Sequence, residues 1–148
     1  MALGIYLLPS VDAKISQNGD FTNPFALTFD GRSGGVKQVR LYIRNDDQLL
    51  YYTNITLKMQ DLSGDDIINR IDDGFAWKLS EGDVQPTQND WNNIAAANTI
   101  SLPDIGANGT PDSSSFLPFW VYVQVPPGLN VQTFNLVQFV LQGEENLV

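Results

Sequence analysis

Chemistry near neutral pH calls first on histidine or cysteine, and this chain of 148 residues contains neither. A thiolate nucleophile, a cysteine-ligated zinc and a disulfide framework are all ruled out by composition. A serine nucleophile would need a lysine or carboxylate as its base, and no Ser-x-x-Lys spacing occurs. Seventeen Asp and Glu remain. Two carboxylates at the right separation can hydrolyse a glycoside, but among seventeen some close pair is inevitable and carries little signal. Asp61-Leu62-Ser63-Gly64-Asp65-Asp66 and Asp72-Asp73-Gly74 offer the hard oxygen ligands calcium prefers, yet neither has the EF-hand order. Asp, Ser and Gly in that mixture make turns, and Asn45-Asp46-Asp47 reads the same way. The expectation is a protein that is not an enzyme and has no cofactor or resident metal, working through contact.

Charge narrows the class of contact. Eight Lys and Arg against seventeen Asp and Glu give a net charge of −9. A pI near 4.1 argues against general affinity for nucleic acid or an anionic membrane. The imbalance is uneven, because Lys78 is the last cation and the seven acids after it stand unopposed. The opening Met-Ala-Leu-Gly-Ile-Tyr-Leu-Leu-Pro is apolar but has no basic residue before it, so it is not read as a signal peptide. No run approaches the roughly 20 apolar residues of a transmembrane helix, and a chain soluble as made is expected.

Period-two alternation runs through most of the chain, which is how a strand with one buried face is written. It is clear at 25–29, 36–44, 53–59, 75–79, 119–125 and 134–142, with a brief strand near 99–102. The runs at 36–44 and 53–59 predict one hairpin, and those at 119–125 and 134–142 a closing one across Pro126-Pro127-Gly128. Residues 60–74 read as a long excursion with a helical turn at most. Thr87 with Asp90 resembles a capping box that starts a short helix with Trp91 and Ile94 on one face. Residues 103–118 read as a long loop. The fold class that follows is all-β, a two-sheet antiparallel β-sandwich (Ig-like or jelly-roll-like) with one short helix and long loops. Residues 1–20 fit the rhythm less well and are assigned to an N-terminal arm or edge strand, with 21–148 as the sandwich domain.

Three groups stand out as contact residues. Ile5, Tyr6, Leu7 and Leu8 would form the apolar part of an arm that packs on a neighbouring copy. Arg40 and Arg44 should share one outward strand face, available to an acidic partner or simply solvated. Trp120 is opposite in phase to Phe119 and Val121 and shares its strand's second face with Tyr122, under either the 103–118 loop or another subunit. Phe116, at the end of that loop, joins them. Trp77 alternates with Phe75 and Leu79 and is read as core. The patterns Asn54-Ile55-Thr56 and Asn108-Gly109-Thr110 match glycosylation acceptors but are read as coincidences.

Four segments together resemble small β-sandwich structural proteins of tailed bacteriophages. They are Phe-Ala-Leu-Thr-Phe-Asp-Gly-Arg (25–32), Val-Arg-Leu-Tyr-Ile-Arg-Asn-Asp-Asp (39–47), Tyr-Tyr-Thr-Asn-Ile-Thr-Leu (51–57) and Pro-Phe-Trp-Val-Tyr-Val-Gln-Val-Pro-Pro-Gly (118–128). The resemblance covers most of the chain and consists of strand and turn patterns. It implies a virion component made in the host cytoplasm, a decoration or cement protein on the capsid or a related head, neck or tail protein, with the decoration protein as the leading reading. Its implied partners are the major capsid or other virion proteins and further copies of itself. It supplies no catalytic or contact residue to carry over. The alternative is a carbohydrate-binding or host-adsorption module of a phage tail or fibre.

Overall fold

The computed structural model describes residues 2–7, 14–18, 23, 25, 27–61, 74–108, 116–128, 132–134 and 137–148. Strand dominates these residues, and the architecture is an all-β sandwich of two antiparallel sheets with one very short helix. Sheet A has five strands. These are β1 (Leu3–Tyr6), β2 (Lys14–Ile15), β4 (Gly35–Asn45), β6 (Ala76–Glu81) and β8 (Phe116–Val125), in the order β2-β1-β4-β8-β6. Sheet B orders β10 (Val137–Leu147), β5 (Leu50–Asp61) and β7 (Ile100–Leu102). A two-stranded ladder joins β3 (Leu27–Phe29) to β9 (Gln132–Phe134). The helix α1 (Gln88–Asn92) follows β6.

The apolar member of each alternating pair points between the sheets. Leu3, Ile5, Leu41, Ile43, Trp77, Leu79, Phe119, Val121 and Val123 come from sheet A, and Ile55, Leu57, Phe139 and Leu141 meet them from sheet B. Phe139 is the pivot, with the Phe119 ring edge-on at 5.9 Å and the Phe25 ring at 5.3 Å. Each such side chain, taken wholly out of water, stabilises the fold by about 1.5–3 kcal/mol. Trp77 is core, as its alternation with Phe75 and Leu79 predicts.

Both predicted hairpins are absent. β4 lies in sheet A and β5 in sheet B, while β8 pairs with β4 and β6 and β10 pairs with β5. From β4 to β8 every strand-to-strand connection crosses the sandwich. Each strand has one apolar face, and that face is buried as well by facing another strand across the core as by pairing with it in a hairpin, so the alternation left the partner open. Asn45-Asp46-Asp47 is a corner and not a hairpin turn. The Asn45 side chain donates to the carbonyls of Leu50 (2.8 Å) and Gly106 (2.9 Å) and accepts from the Asp47 N–H (2.9 Å).

Residues 3–6 and 14–18 belong to the sandwich and do not form a free arm. β2 is the outer strand of an edge hairpin, and β1 lies between β2 and β4. Ile5 is buried in the core and Tyr6 on the outer face against Arg44, both by their own chain; Leu7 is exposed and Leu8 lies outside the described residues. Their alternation was masked in the sequence because Tyr6, on the outer face, is as bulky as the core residues beside it.

Candidate functional site

Strand register places six of the nine candidate contact residues on one surface. Arg40 is opposite Trp120, Arg44 opposite Phe116, and Tyr6 opposite Tyr42. Tyr122 is flanked by Gln38 on one side and Lys78 on the other. Since side chains alternate, all of these point away from the core, on the outer face of sheet A. Lys14, opposite Tyr6, joins them by reaching across Gly4, where an added Cβ would come within 2.8 Å of its Cε. Four of the eight cations thus meet on the face that also holds Trp120 and three tyrosines.

Cations and rings are interleaved. The Arg44 guanidinium sits 3.9 Å from the Tyr6 ring centroid, Arg40 lies 5.6 Å from Tyr42 and 5.9 Å from Trp120, and the Lys78 ammonium is 5.6 Å from Tyr122. Both arginines also find carboxylates within the chain. Arg44 Nε donates to Asp46 Oδ1 at 2.7 Å, and Arg40 Nη1 donates to Asp83 Oδ1 at 2.9 Å. Tyr6 closes a triad by donating its hydroxyl to Asp46 Oδ2 at 2.6 Å. Burial pushes the Asp46 carboxyl up, but the bonds from Tyr6 and Arg44 and the arginine charge outweigh it and leave Asp46 below its ordinary value. Burial and the same carboxylate raise the Tyr6 phenol. The face is therefore amphipathic, and Arg40 and Arg44, expected either to meet the acidic half of a second copy or to be simply solvated, are paired with carboxylates of their own chain.

The cover over Tyr122 comes from this chain itself, and residues 109–115 of the 103–118 loop, expected there as an alternative to another subunit, lie outside the described residues. The segment 82–92, between β6 and the end of α1, folds over that part of the sheet. Trp91 is fully buried with its ring 5.1 Å from Tyr122, and its Nε1 donates to Gln38 Oε1 at 2.8 Å. Trp120 Nε1 donates to the Asp83 carbonyl at 3.1 Å, and Gly82 N–H to the Pro118 carbonyl at 3.2 Å. Lys78 Nζ donates to the Trp91 carbonyl at 2.7 Å, a cation placed at the helix C-terminus. The capping box forms as predicted, with Asp90 Oδ2 accepting from Thr87 N–H (2.9 Å) and Thr87 Oγ1 accepting from Asp90 N–H (3.1 Å). These bonds hold Asp90 below its ordinary carboxylate value. The described part of the 103–118 loop instead runs along sheet B, where Ile105 bridges to Tyr52.

What remains open is a strip. Trp120 and Phe116 are half-buried, Arg40 and Asp83 are exposed, and Val84 stands 86% exposed beside them. Beyond α1 the same face ends in a cleft of about 490 Å³ lined by Ser33, Gly35, Val36, Gly74, Gln88, Tyr122, Gln124, Val125, Pro126 and Pro127. Residues 31–35, Gly-Arg-Ser-Gly-Gly, also match the Gly-x-Ser-x-Gly spacing. A nucleophile elbow needs a strand-to-helix turn, whereas this turn joins β3 to β4 and the Ser33 hydroxyl donates to Asp30 at 3.1 Å. Of the Asp-rich turns, residues 62–66 and 72–73 lie outside the described residues. Among the described residues no group of three or more His, Cys, Asp or Glu is placed to hold a metal ion. No helix there is long and apolar enough to cross a membrane.

Comparison with protein families, with curated proteins and with solved structures returns no match.

Proposed function

We propose that this chain is a non-enzymatic virion protein of a tailed bacteriophage, a decoration or cement protein that binds the capsid exterior through the outer face of sheet A. One observation carries the choice of face. Trp120, Phe116, Val84 and the Arg40–Asp83 pair form an open strip in which apolar surface lies beside charges already paired within the chain. Such a strip loses little on meeting a protein surface, since its arginine need not be stripped of water without a partner. Aromatic and arginine side chains are also the types enriched at the centres of protein interfaces. The resemblance in the strand and turn segments supplies the virion context.

The test is binding to purified capsids that lack this protein. A contact centred on Trp120 and Phe116 persists as screening shortens from about 10 Å at 0.1 M salt to about 3 Å at 1 M. It weakens when Trp120 or Phe116 is replaced by Ala in a variant that remains folded. Binding lost at 1 M salt would move the contact to Lys14 and the arginines. Failure to bind any capsid, together with retention on host-cell envelopes, would transfer the reading to a host-adsorption module.

A further inference from the structure

The cleft beyond α1 carries a second inference, independent of the virion reading. Among the described residues, the ten that line it include no Asp, Glu, Lys or Arg. Its polar groups are amides and hydroxyls, linked in a relay. Gln88 Nε2 donates to the Tyr122 hydroxyl at 3.3 Å, and that hydroxyl donates to Gln124 Oε1 at 3.1 Å. Gln88 Nε2 also donates to Asn92 at 3.0 Å, so the relay uses the donor end of Gln88 and the acceptor end of Gln124. Gln88 Oε1 and Gln124 Nε2 are left over, an acceptor and a donor on either side of one hydroxyl.

Three turns fix the cleft's rim. The Gly34 N–H donates to the Asp30 carbonyl at 2.9 Å and the Gly128 N–H to the Arg32 carbonyl at 3.3 Å, while Gly74 packs against Pro126. Pro126, Pro127 and Val36 supply apolar surface next to the amides. A volume near 490 Å³ falls within the roughly 300–1,000 Å³ of small-molecule sites.

We propose that this cleft binds a neutral saccharide. Adjacent hydroxyls of a sugar each donate and accept, which matches a paired acceptor and donor, and the C–H faces of the ring suit the two prolines. An anionic or cationic ligand would meet no opposite charge among the described lining residues.

Titration of the ¹⁵N-labelled full chain tests this, with glucose, galactose, mannose and N-acetylglucosamine as probes, glucuronic acid as the charged control and triglycine as the peptide control. The expected result is a saturable shift of the Gln88 and Gln124 side-chain amides and of Gly35 and Gly74 with at least one neutral sugar. Gln88→Ala, on the exposed side of α1, and Gln124→Ala should each weaken that binding about three- to tenfold, the loss of one hydrogen bond. Three results overturn the proposal. They are no saturable shift up to about 100 mM sugar, roughly a hundredfold above a 1 mM dissociation constant; unchanged affinity in both variants; and shifts driven by triglycine or glucuronate in place of the neutral sugars. Capsid binding through Trp120 is measured separately, so either result stands without the other.

Discussion

Asn98 forms two hydrogen bonds to Leu79, donating through Nδ2 to its carbonyl and accepting through Oδ1 from its N–H, each at 2.8 Å. Leu79 lies on β6, at the edge of sheet A, and Asn98 thus does the work of one further strand residue there. Ala97 N–H extends the pattern by donating to the Trp77 carbonyl at 2.6 Å. The opposite sheet repeats the device. Asn18 N–H donates to the Phe139 carbonyl at 2.9 Å, and its side chain bonds Leu141 N–H (3.0 Å) and carbonyl (3.2 Å) on the edge of β10. Unpaired strand edges are templates for adding another chain, and a single asparagine at each edge occupies those groups. Addition of a further strand at these two edges is thereby disfavoured.

Replacing Asn98 by Ala should leave the Leu79 N–H and carbonyl without partners, at a cost of about 1–3 kcal/mol. It should also open β6 to pairing. Urea denaturation measures the first effect and sedimentation at rising concentration the second. A variant as stable as the parent and equally monodisperse would remove the edge-closing role.

Trp91 ties segment 82–92 to the sheet, both by full burial against Tyr122 and through Nε1 to Gln38. Trp91→Ala should cost about 3–5 kcal/mol, the range for deleting a large buried aromatic. Trp91→Phe retains much of the packing but leaves Gln38 short of one donor, and should cost about 1–3 kcal/mol. Equal losses in the two variants, read from denaturation midpoints at constant slope, would show that the hydrogen bond outweighs the packing.

The longer strands β4, β5, β6, β8 and β10 and the capping box were legible in the sequence because they are local. Val39, Leu41 and Ile43 announce a buried face whatever they pack against, and Thr87 finds Asp90 three residues on. Strand partnership is not local. Alternation states that Ile43 and Ile55 face inward, and it is equally satisfied by a hairpin or by two facing sheets. The candidate site suffered from the same gap. Arg40 and Trp120 were both placed on outward faces, yet nothing in either run said that the two strands are neighbours, nor that segment 82–92 would lie over Tyr122. Tyr6 was misassigned for a related reason, since its partners Arg44 and Asp46 lie about 40 residues away and only the β1–β4 ladder brings them together. Asn18 and Asn98 gave no signal at all, because an asparagine in a loop looks the same whether or not it closes a strand.

The Tyr6–Asp46–Arg44 triad should make stability depend on pH at both ends. Asp46 titrates below its ordinary 3.8 in the folded chain, so the unfolded chain binds protons more readily. Its contribution is present above that ordinary value and is lost as pH falls through the lowered one. Tyr6 titrates above its ordinary 10.0, so its contribution is present below pH 10.0 and is lost as pH rises through the raised value. The stability difference between the parent and Asp46→Asn should be largest between about pH 5 and 9 and shrink outside it. The effect is small at a carboxylate this exposed to water. A difference that stays constant from acid to alkali would detach the triad from stability.

The turn before β4 gives the sharpest test of backbone geometry, and it also forms part of the cleft's rim. Asp30 organises it, accepting from Arg32 N–H at 3.0 Å through its side chain and from Gly34 N–H at 2.9 Å through its carbonyl. Gly34 then adopts φ +64°, and a Cβ there would lie 2.5 Å from the Val125 carbonyl oxygen and 2.8 Å from Pro127 N. Those are backbone atoms, so no side-chain rotation relieves the contact. Gly35 has φ +145° but open space around the missing Cβ. Ala at 35 therefore meets backbone strain alone, of about 1–3 kcal/mol, whereas Ala at 34 adds a collision with β8 to a similar strain. Denaturation should rank Gly34→Ala well below Gly35→Ala, and in Gly34→Ala the amide signals of Val125 and Gln124 should move as β8 shifts. Equal stability of the two variants, with Val125 unmoved, would show that the turn rearranges before β8 does.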